Sequence, residues 1–219
     1  MDANPHSQMQ WPFFEDGHRS FKTALDTWCA SHLQDATHDE SRAAVDARCI
    51  TLVGRMGQGG WLAHAVAGSA HGGAAEQIDT RRLCLLRETM AYHEGLADFA
   101  FAMQGLGSGA ISLMGTPAQQ AKYLPSVVRG QSLAAFALSE PDAGSDVAAM
   151  QCSATAVDGG YELNGRKTWI SNGGIAGFYV VFARTGEAPG ARGISAFIVD
   201  ADTPGLVIEE RIDVMAPHP

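Results

Sequence analysis

The stretch Gly115-Thr-Pro-Ala-Gln-Gln-Ala-Lys-Tyr-Leu-Pro-Ser-Val-Val-Arg-Gly-Gln-Ser-Leu-Ala-Ala-Phe-Ala-Leu138 carries two periods in succession. Thr116 is placed to cap a helix, and Pro117 to take its first position, where a missing N–H costs nothing. The helix over 117–128 ends near Gly130. After Gln131 the spacing of apolar residues drops to two, which is the period of a strand.

Upstream of this switch the chain reads as helix after helix. In 15–33, Phe21, Leu25, Trp28 and Cys29 recur three and four apart and mark one face. The pattern returns in 41–56 through Ala44, Val45, Ile50, Leu52 and Val53, and stops near Gly57, Gly59 and Gly60. The Gly/Ala-rich segment 61–73 reads as loop. A long helix starts with Asp79 or Thr80 as its N-cap, runs through Leu83, Leu86, Met90 and Tyr92, and breaks near Gly95. A second apolar run, 96–114, follows. Its Gly105, Gly107 and Gly109 lower helix propensity but allow neighbours to approach closely.

Downstream, 133–138, 153–157, 161–163, 167–171, 178–184, 194–200 and 206–211 are short strands separated by Gly-, Asn- and Pro-rich turns. Asn164-Gly165 predicts a hairpin between 161–163 and 167–171. Trp169 and Ser171 would then share a face. Helices followed by strands, without βα alternation, predict an α+β chain. Its two domains are an all-α domain over 1–131 and an antiparallel β-domain over 132–219, incomplete at its C-terminal end.

The net charge of −9 over 219 residues argues against a nucleic-acid surface. No apolar run is long enough to span a bilayer, and Met1–Trp11 has no signal or transit character. Cys29, Cys49, Cys84 and Cys152 form no metal spacing, and buried free thiols are expected. These features place the chain in the cytoplasm. Glu88, His93, Glu94 and Asp98 share one helical run but lack the Glu-x-x-His spacing of carboxylate-bridged metals, so a solvated or interhelix-paired face is expected. His64 and His71 have no ligand partners in the sequence. The Gly-Gly pairs form no strand-GxGxxG-helix unit.

Two segments carry the chemistry. Phe136-Ala-Leu-Ser-Glu-Pro-Asp-Ala-Gly-Ser-Asp146 is a strand ending in a small-residue turn whose N–H groups and hydroxyls suit an anion such as a pyrophosphate. Lys167-Thr-Trp-Ile-Ser-Asn-Gly-Gly174 offers a flat ring and a hydroxyl to one planar ligand. Taken alone, Ser145-Asp146 reads as a cap and Trp169 as a core aromatic. Glu140 reads as an exposed or turn-capping carboxylate rather than an acid or base.

Both segments, in this order, resemble the acyl-CoA dehydrogenase family, with its T/S-E-P-x-A-G-S-D and K-x-W-I-T/S-N-G-G motifs. The resemblance extends to Gly115–Pro125 and Gly193–Val199. It implies FAD as cofactor. Phe136, Leu138, Ser139, Gly144 and Ser145 would line the flavin and its pyrophosphate, and Ser145 would also meet the pantetheine arm of an acyl-CoA. Trp169 and Ile170 would pack by the isoalloxazine, with Ser171 hydrogen-bonded near N5. The implied reaction is loss of an α-proton to a base and of a β-hydride to the flavin, with an electron-transferring flavoprotein as acceptor and a homo-oligomer as the assembled state. The family's base is a glutamate that would lie beyond residue 219. No catalytic residue is therefore assigned, and the chain alone is expected to be inactive. The rival readings are an acyl-CoA oxidase or flavin monooxygenase of the same fold, and a non-catalytic subunit completed by a partner.

Overall fold

A computed structural model describes residues 7–34, 39–186 and 188–219. The first six residues of the N-terminal segment lie outside that range. Five helices come first: α1 (Asp16–His32), α2 (Arg42–Gln58), α3 (Thr80–His93), α4 (Gly95–Met114) and α5 (Pro117–Val128). The 61–73 segment, expected as loop, holds two short 3-10 turns.

The caps explain where the helices begin. The Asp79 carboxylate accepts from the N–H of Arg81 and Arg82 and starts α3. Glu94 accepts from the N–H of Leu96 and starts α4. Thr116 and Gln119 form a reciprocal capping box on α5 with Pro117 at its first turn. α4 is the central element, packed on α2, α3, α5 and the sheet. The helical core gathers Leu25, Cys29, Leu52, Met56, Leu86, Met90 and Phe101. Gly107 lets α4 meet the sheet, since a Cβ there would stand 2.6 Å from the Cβ of Ala134.

The strands are β1 (Ala134–Ala137), β2 (Ser153–Val157), β3 (Gly160–Asn164), β4 (Phe178–Arg184) and β5 (Ile194–Asp200). The helices-then-strands order is as expected, but the sheet is mixed rather than antiparallel. β1 pairs parallel with β4 from Ala134↔Phe178 to Ala137↔Val181, and β2 touches β4 in parallel at Ser153↔Arg184. β2–β3 and β4–β5 are antiparallel. A parallel pair needs a long connection, and the chain between β1 and β4 supplies it.

Two expected strands do not form. Segment 167–171 leaves the sheet because Trp169 and Asn172 take φ of 57° and 63°, left-handed values that end strand alternation. The hairpin lies instead between β2 and β3, with Val157 opposite Gly160 and Gly159 at φ 81° in its turn. Segment 206–211 joins no strand. It is held by ion pairs, among them Arg166–Glu209 at 2.6 Å and Arg211–Asp46 at 2.8 Å.

All four cysteines are free. Cys29, Cys49 and Cys152 are buried, whereas Cys84 is exposed on the outer face of α3, contrary to expectation. Burial, then the nearby Asp26 carboxylate, pushes the Cys29 thiol up to about 12, and burial does the same to Cys49. Neither thiol is a nucleophile in that state. Glu94 pairs with Arg48, His93 with Asp26 at 3.3 Å, and Asp98 with Arg87 at 2.8 Å, so this acidic face is paired across helices. Among the described residues no group of three potential ligands could hold a metal ion. No helix among them is long and apolar enough to cross a membrane.

Candidate functional site

β1 has two faces. Ala134 packs toward α4 and α5 with Phe178 and Val180, and Phe136 joins that side through the ring of Phe182, 4.9 Å away. Ala135 and Ala137 face the other way, with Tyr179 and Val181. Beyond β1 the chain enters a tight turn in which Glu140 and Ala143 exchange both backbone hydrogen bonds at 3.1 Å. Gly144, Ser145 and Asp146 follow, all exposed, and lead into a short 3-10 turn at Val147–Ala149. Arg184 fixes the far end of this excursion by donating to the carbonyl of Met150 at 3.0 Å.

The second segment folds against the first. The Thr168 N–H donates to the Ser139 carbonyl at 3.0 Å. The Lys167 ammonium donates to the Leu138 carbonyl at 3.0 Å and to Glu140 Oε1 at 2.8 Å. Of the exposed or turn-capping carboxylate expected from sequence, Glu140 takes the capping role only: it is 6 % exposed and also accepts from the N–H of Gln151 at 2.6 Å and of Cys152 at 2.9 Å. Burial alone would raise its pKa. The two N–H groups and the Lys167 ammonium outweigh burial and hold it below the ordinary carboxylate range.

Trp169 stands 66 % exposed directly after this junction. Ile170 packs beside Ala137 and Tyr179, and its carbonyl accepts from the Gly173 N–H. Asn172, fully buried, donates from Nδ2 to the Ala134 carbonyl at 2.9 Å and so ties the loop to β1. The hydroxyls of Ser139, Ser145 and Ser171 and the N–H groups of Gly144 and Ser145 have no hydrogen-bond partner among the described residues.

A cavity of about 1150 Å³ opens on the Ala137 face of the sheet, lined by Trp169, Ile170, Ser171, Tyr179, Val181 and Leu206 among others. Of the eight residues singled out in the sequence, only 169–171 line it. Leu138 and Ser139 are half-buried and Gly144 and Ser145 exposed, none of them in its lining, and Phe136 lies on the helical side of β1. The two segments are thus joined by one backbone hydrogen bond and the Lys167 side chain, not through one enclosed hollow. Lys167, Thr168 and Asn172 stood within the second segment but were assigned no role from the sequence. Their role depends on partners some thirty residues away, which spacing alone does not reveal.

Residues 15–131 match the acyl-CoA dehydrogenase N-terminal domain, and residues 135–218 match the acyl-CoA dehydrogenase middle domain. The chain belongs to the acyl-CoA dehydrogenase family. It is 42 % identical over 134 residues to a short-chain specific acyl-CoA dehydrogenase of Megasphaera elsdenii, covering 61 % of this chain and 35 % of that protein. It is 39 % identical over 131 residues to a mitochondrial 2-methylacyl-CoA dehydrogenase of Solanum tuberosum, covering 59 % of this chain and 32 % of that one. The chain therefore spans about a third of the length of these relatives.

Among solved structures, an acyl-CoA dehydrogenase from Bacillus anthracis, complexed with FAD, matches with a TM-score of 0.75 and 29 % identity over 91 % of this chain and 34 % of that one. The butyryl-CoA dehydrogenase of Megasphaera elsdenii matches with a TM-score of 0.70 and 30 % identity, over 88 % of this chain and 50 % of that one.

Proposed function

We propose that this chain supplies the helical and β portions, 1–131 and 132–219, of an FAD-dependent dehydrogenase acting on an acyl-CoA thioester. The observation that carries the reading is the junction of the two segments, where Thr168 meets Ser139 and Lys167 meets Leu138 and Glu140. That junction sets an exposed indole, three free hydroxyls and a turn with open N–H groups on neighbouring surface.

The residues present fit a flavin dinucleotide. Trp169 and Ile170 would pack on the ring system, Leu138 and Ser139 would lie near its pyrimidine edge, and Ser171 would hydrogen-bond near N5. Gly144 and Ser145 would hold the pyrophosphate, with Ser145 also reaching the pantetheine arm of the substrate. Backbone N–H groups in a turn suit an anion because their dipoles converge without a charged side chain. When bound, FAD supplies the acceptor for the hydride that leaves the acyl β-carbon. The chain's own contribution is orientation. On this reading, which rests on the resemblance of the two motif segments, an electron-transferring flavoprotein would be the acceptor and a homo-oligomer the working assembly.

The test is a titration of the 219-residue chain with FAD, followed by flavin absorbance and fluorescence, for the wild type and Trp169→Ala. An aromatic contact contributes about 1 kcal/mol, so removing the indole is expected to weaken binding roughly fivefold. Failure of the wild type to bind, or equal binding by both proteins, removes the reading.

A further inference from the structure

The Glu140–Lys167 pair is the one buried ion pair that joins the two motif segments, and nothing in the proposed chemistry uses it. The two side chains are 6 % and 10 % exposed. Every polar atom of the pair is committed. Glu140 Oε1 accepts from Lys167 and from the Cys152 N–H, and Oε2 accepts from the Gln151 N–H. The Lys167 ammonium serves Glu140 and the Leu138 carbonyl, and its third contact is the Met150 sulfur at 3.9 Å. A pair this closed has no polar atom left over to meet a substrate proton.

Its position suggests another task. Glu140 directly follows Leu138 and Ser139, and Lys167 directly precedes Thr168 and Trp169. The single backbone hydrogen bond between the segments, Thr168 N–H to Ser139 carbonyl, lies immediately beside the pair. Trp169 needs such a restraint. Its φ of 57° is a conformation that a bulky side chain holds only when its surroundings impose it. Buried ion pairs add little net stability over apolar residues of the same size, and in some proteins their retained role is to fix one arrangement of the groups around them.

We propose that Glu140 and Lys167 are positioning residues, a buried clamp that sets the register between the Leu138–Ser139 edge and the Trp169–Ser171 loop so that both meet one flavin. The clamp rests on the flavin reading above. It acts through its neighbours and touches neither cofactor nor substrate.

The experiment compares the wild-type chain with Glu140→Gln, Lys167→Met and the double variant. Each is followed by thermal unfolding, by hydrogen exchange at the Thr168 amide and by FAD titration. Glu140→Gln leaves the Lys167 charge without a counter-ion and one backbone N–H facing an amide NH2, and Lys167→Met leaves the Glu140 charge unpaired, so both lose heat stability as well. The double variant removes both charges and is expected to recover melting behaviour close to the wild type. Its Thr168 amide is nevertheless expected to exchange at least about tenfold faster relative to the core amides of α4, and its FAD affinity to fall about tenfold or more. Protection and affinity that recover together with stability would overturn the proposal, since the pair would then be structural only. A double variant that does not fold would overturn it as well, because the pair would be holding the fold and not the loop. Wild-type chain that binds no FAD, together with faster Thr168 exchange in the double variant, would sink the flavin reading while leaving the clamp on the loop intact.

Discussion

At the scale of single residues, charge and backbone angle decide what each position can do. Asp79 was readable as a cap because it stands just before an apolar run, and it caps α3 with bonds of 3.0 and 3.2 Å to the N–H of Arg81 and Arg82. Burial works against its ionised form, but the Arg82 N–H, His18 and the Arg81 N–H hold its pKa below the ordinary value. A depressed carboxyl contributes stability above the ordinary aspartate range and loses it as pH falls through the folded-state value. Asp79→Ala is therefore expected to cost about 1–2 kcal/mol near pH 7 in urea unfolding. The gap from wild type should narrow in acid below about pH 4, and Asp79→Asn, which keeps a neutral cap but not the charge, should lose less than Asp79→Ala near pH 7. A gap that stays constant into acid would show that the cap does not act through its charge. Trp169 is the opposite case, because no neighbouring letter betrays its left-handed φ. Trp169→Gly removes a strain of about 1–2 kcal/mol, against roughly 0.5–1 kcal/mol of added chain entropy in the unfolded state. With the indole largely in solvent, the variant should melt at or slightly above the wild type while binding FAD more weakly. A clear loss of stability would mean that the ring is buried in solution.

At the scale of elements, the helices were legible because their signals are local: a cap, a Pro at the first position, a 3.6 period. The loop at 167–171 was not, because its alternation of apolar letters mimics a strand while its true partners are Leu138, Ser139 and Glu140. The burial of Glu140 was hidden for the same reason, although its capping of backbone N–H groups was among the expected roles. The glycines of α4 were read correctly as packing devices in part. Gly107 sits against the backbone of β1, where a Cβ would come within 2.8 Å of the Ala134 carbonyl carbon, whereas a Cβ at Gly109 would meet nothing within 4 Å. Both would gain roughly 1 kcal/mol of helix propensity on replacement by Ala. At Gly107 the overpacking cost of about 1–3 kcal/mol wins, because the obstacle is backbone and cannot swing aside. Gly109→Ala should therefore raise the melting temperature and Gly107→Ala lower it. Equal and positive shifts would show that α4 and β1 are not in close contact.

For the whole molecule, the question is how the helices and the sheet are held in one arrangement. The mixed sheet order was beyond sequence reading, since strand alternation marks faces but not partners or direction. Two kinds of contact join the layers. Apolar packing of α4 and α5 on β1 and β4 is one, sealed at the edge by Tyr123 and Lys122, which donate to Asp200 at 2.8 and 2.9 Å. The other is electrostatic. The extended segment after β5 crosses the cavity without joining a strand, and Arg211 grips Asp46 on α2 through two bonds of 2.8 and 3.2 Å. Both partners are only about a fifth exposed, so this grip is screened less than a surface pair. The segment should open locally at a lower free energy than the core, because ion pairs and a few side chains, not a ladder, hold it down. Asp46→Ala is then expected to speed hydrogen exchange across 206–214 and tryptic cleavage after Arg211 several-fold. The global unfolding free energy should move by no more than about 1 kcal/mol. Raising salt from about 0.1 M to about 1 M shortens the screening length from roughly 10 to 3 Å and should loosen the wild-type segment in the same direction. In Asp46→Ala the same salt step should have a smaller effect, because the principal attraction is already gone. If protection across 206–214 is unchanged by the substitution, the segment is held by apolar contact with the cavity wall, and the ion pair is incidental to its place.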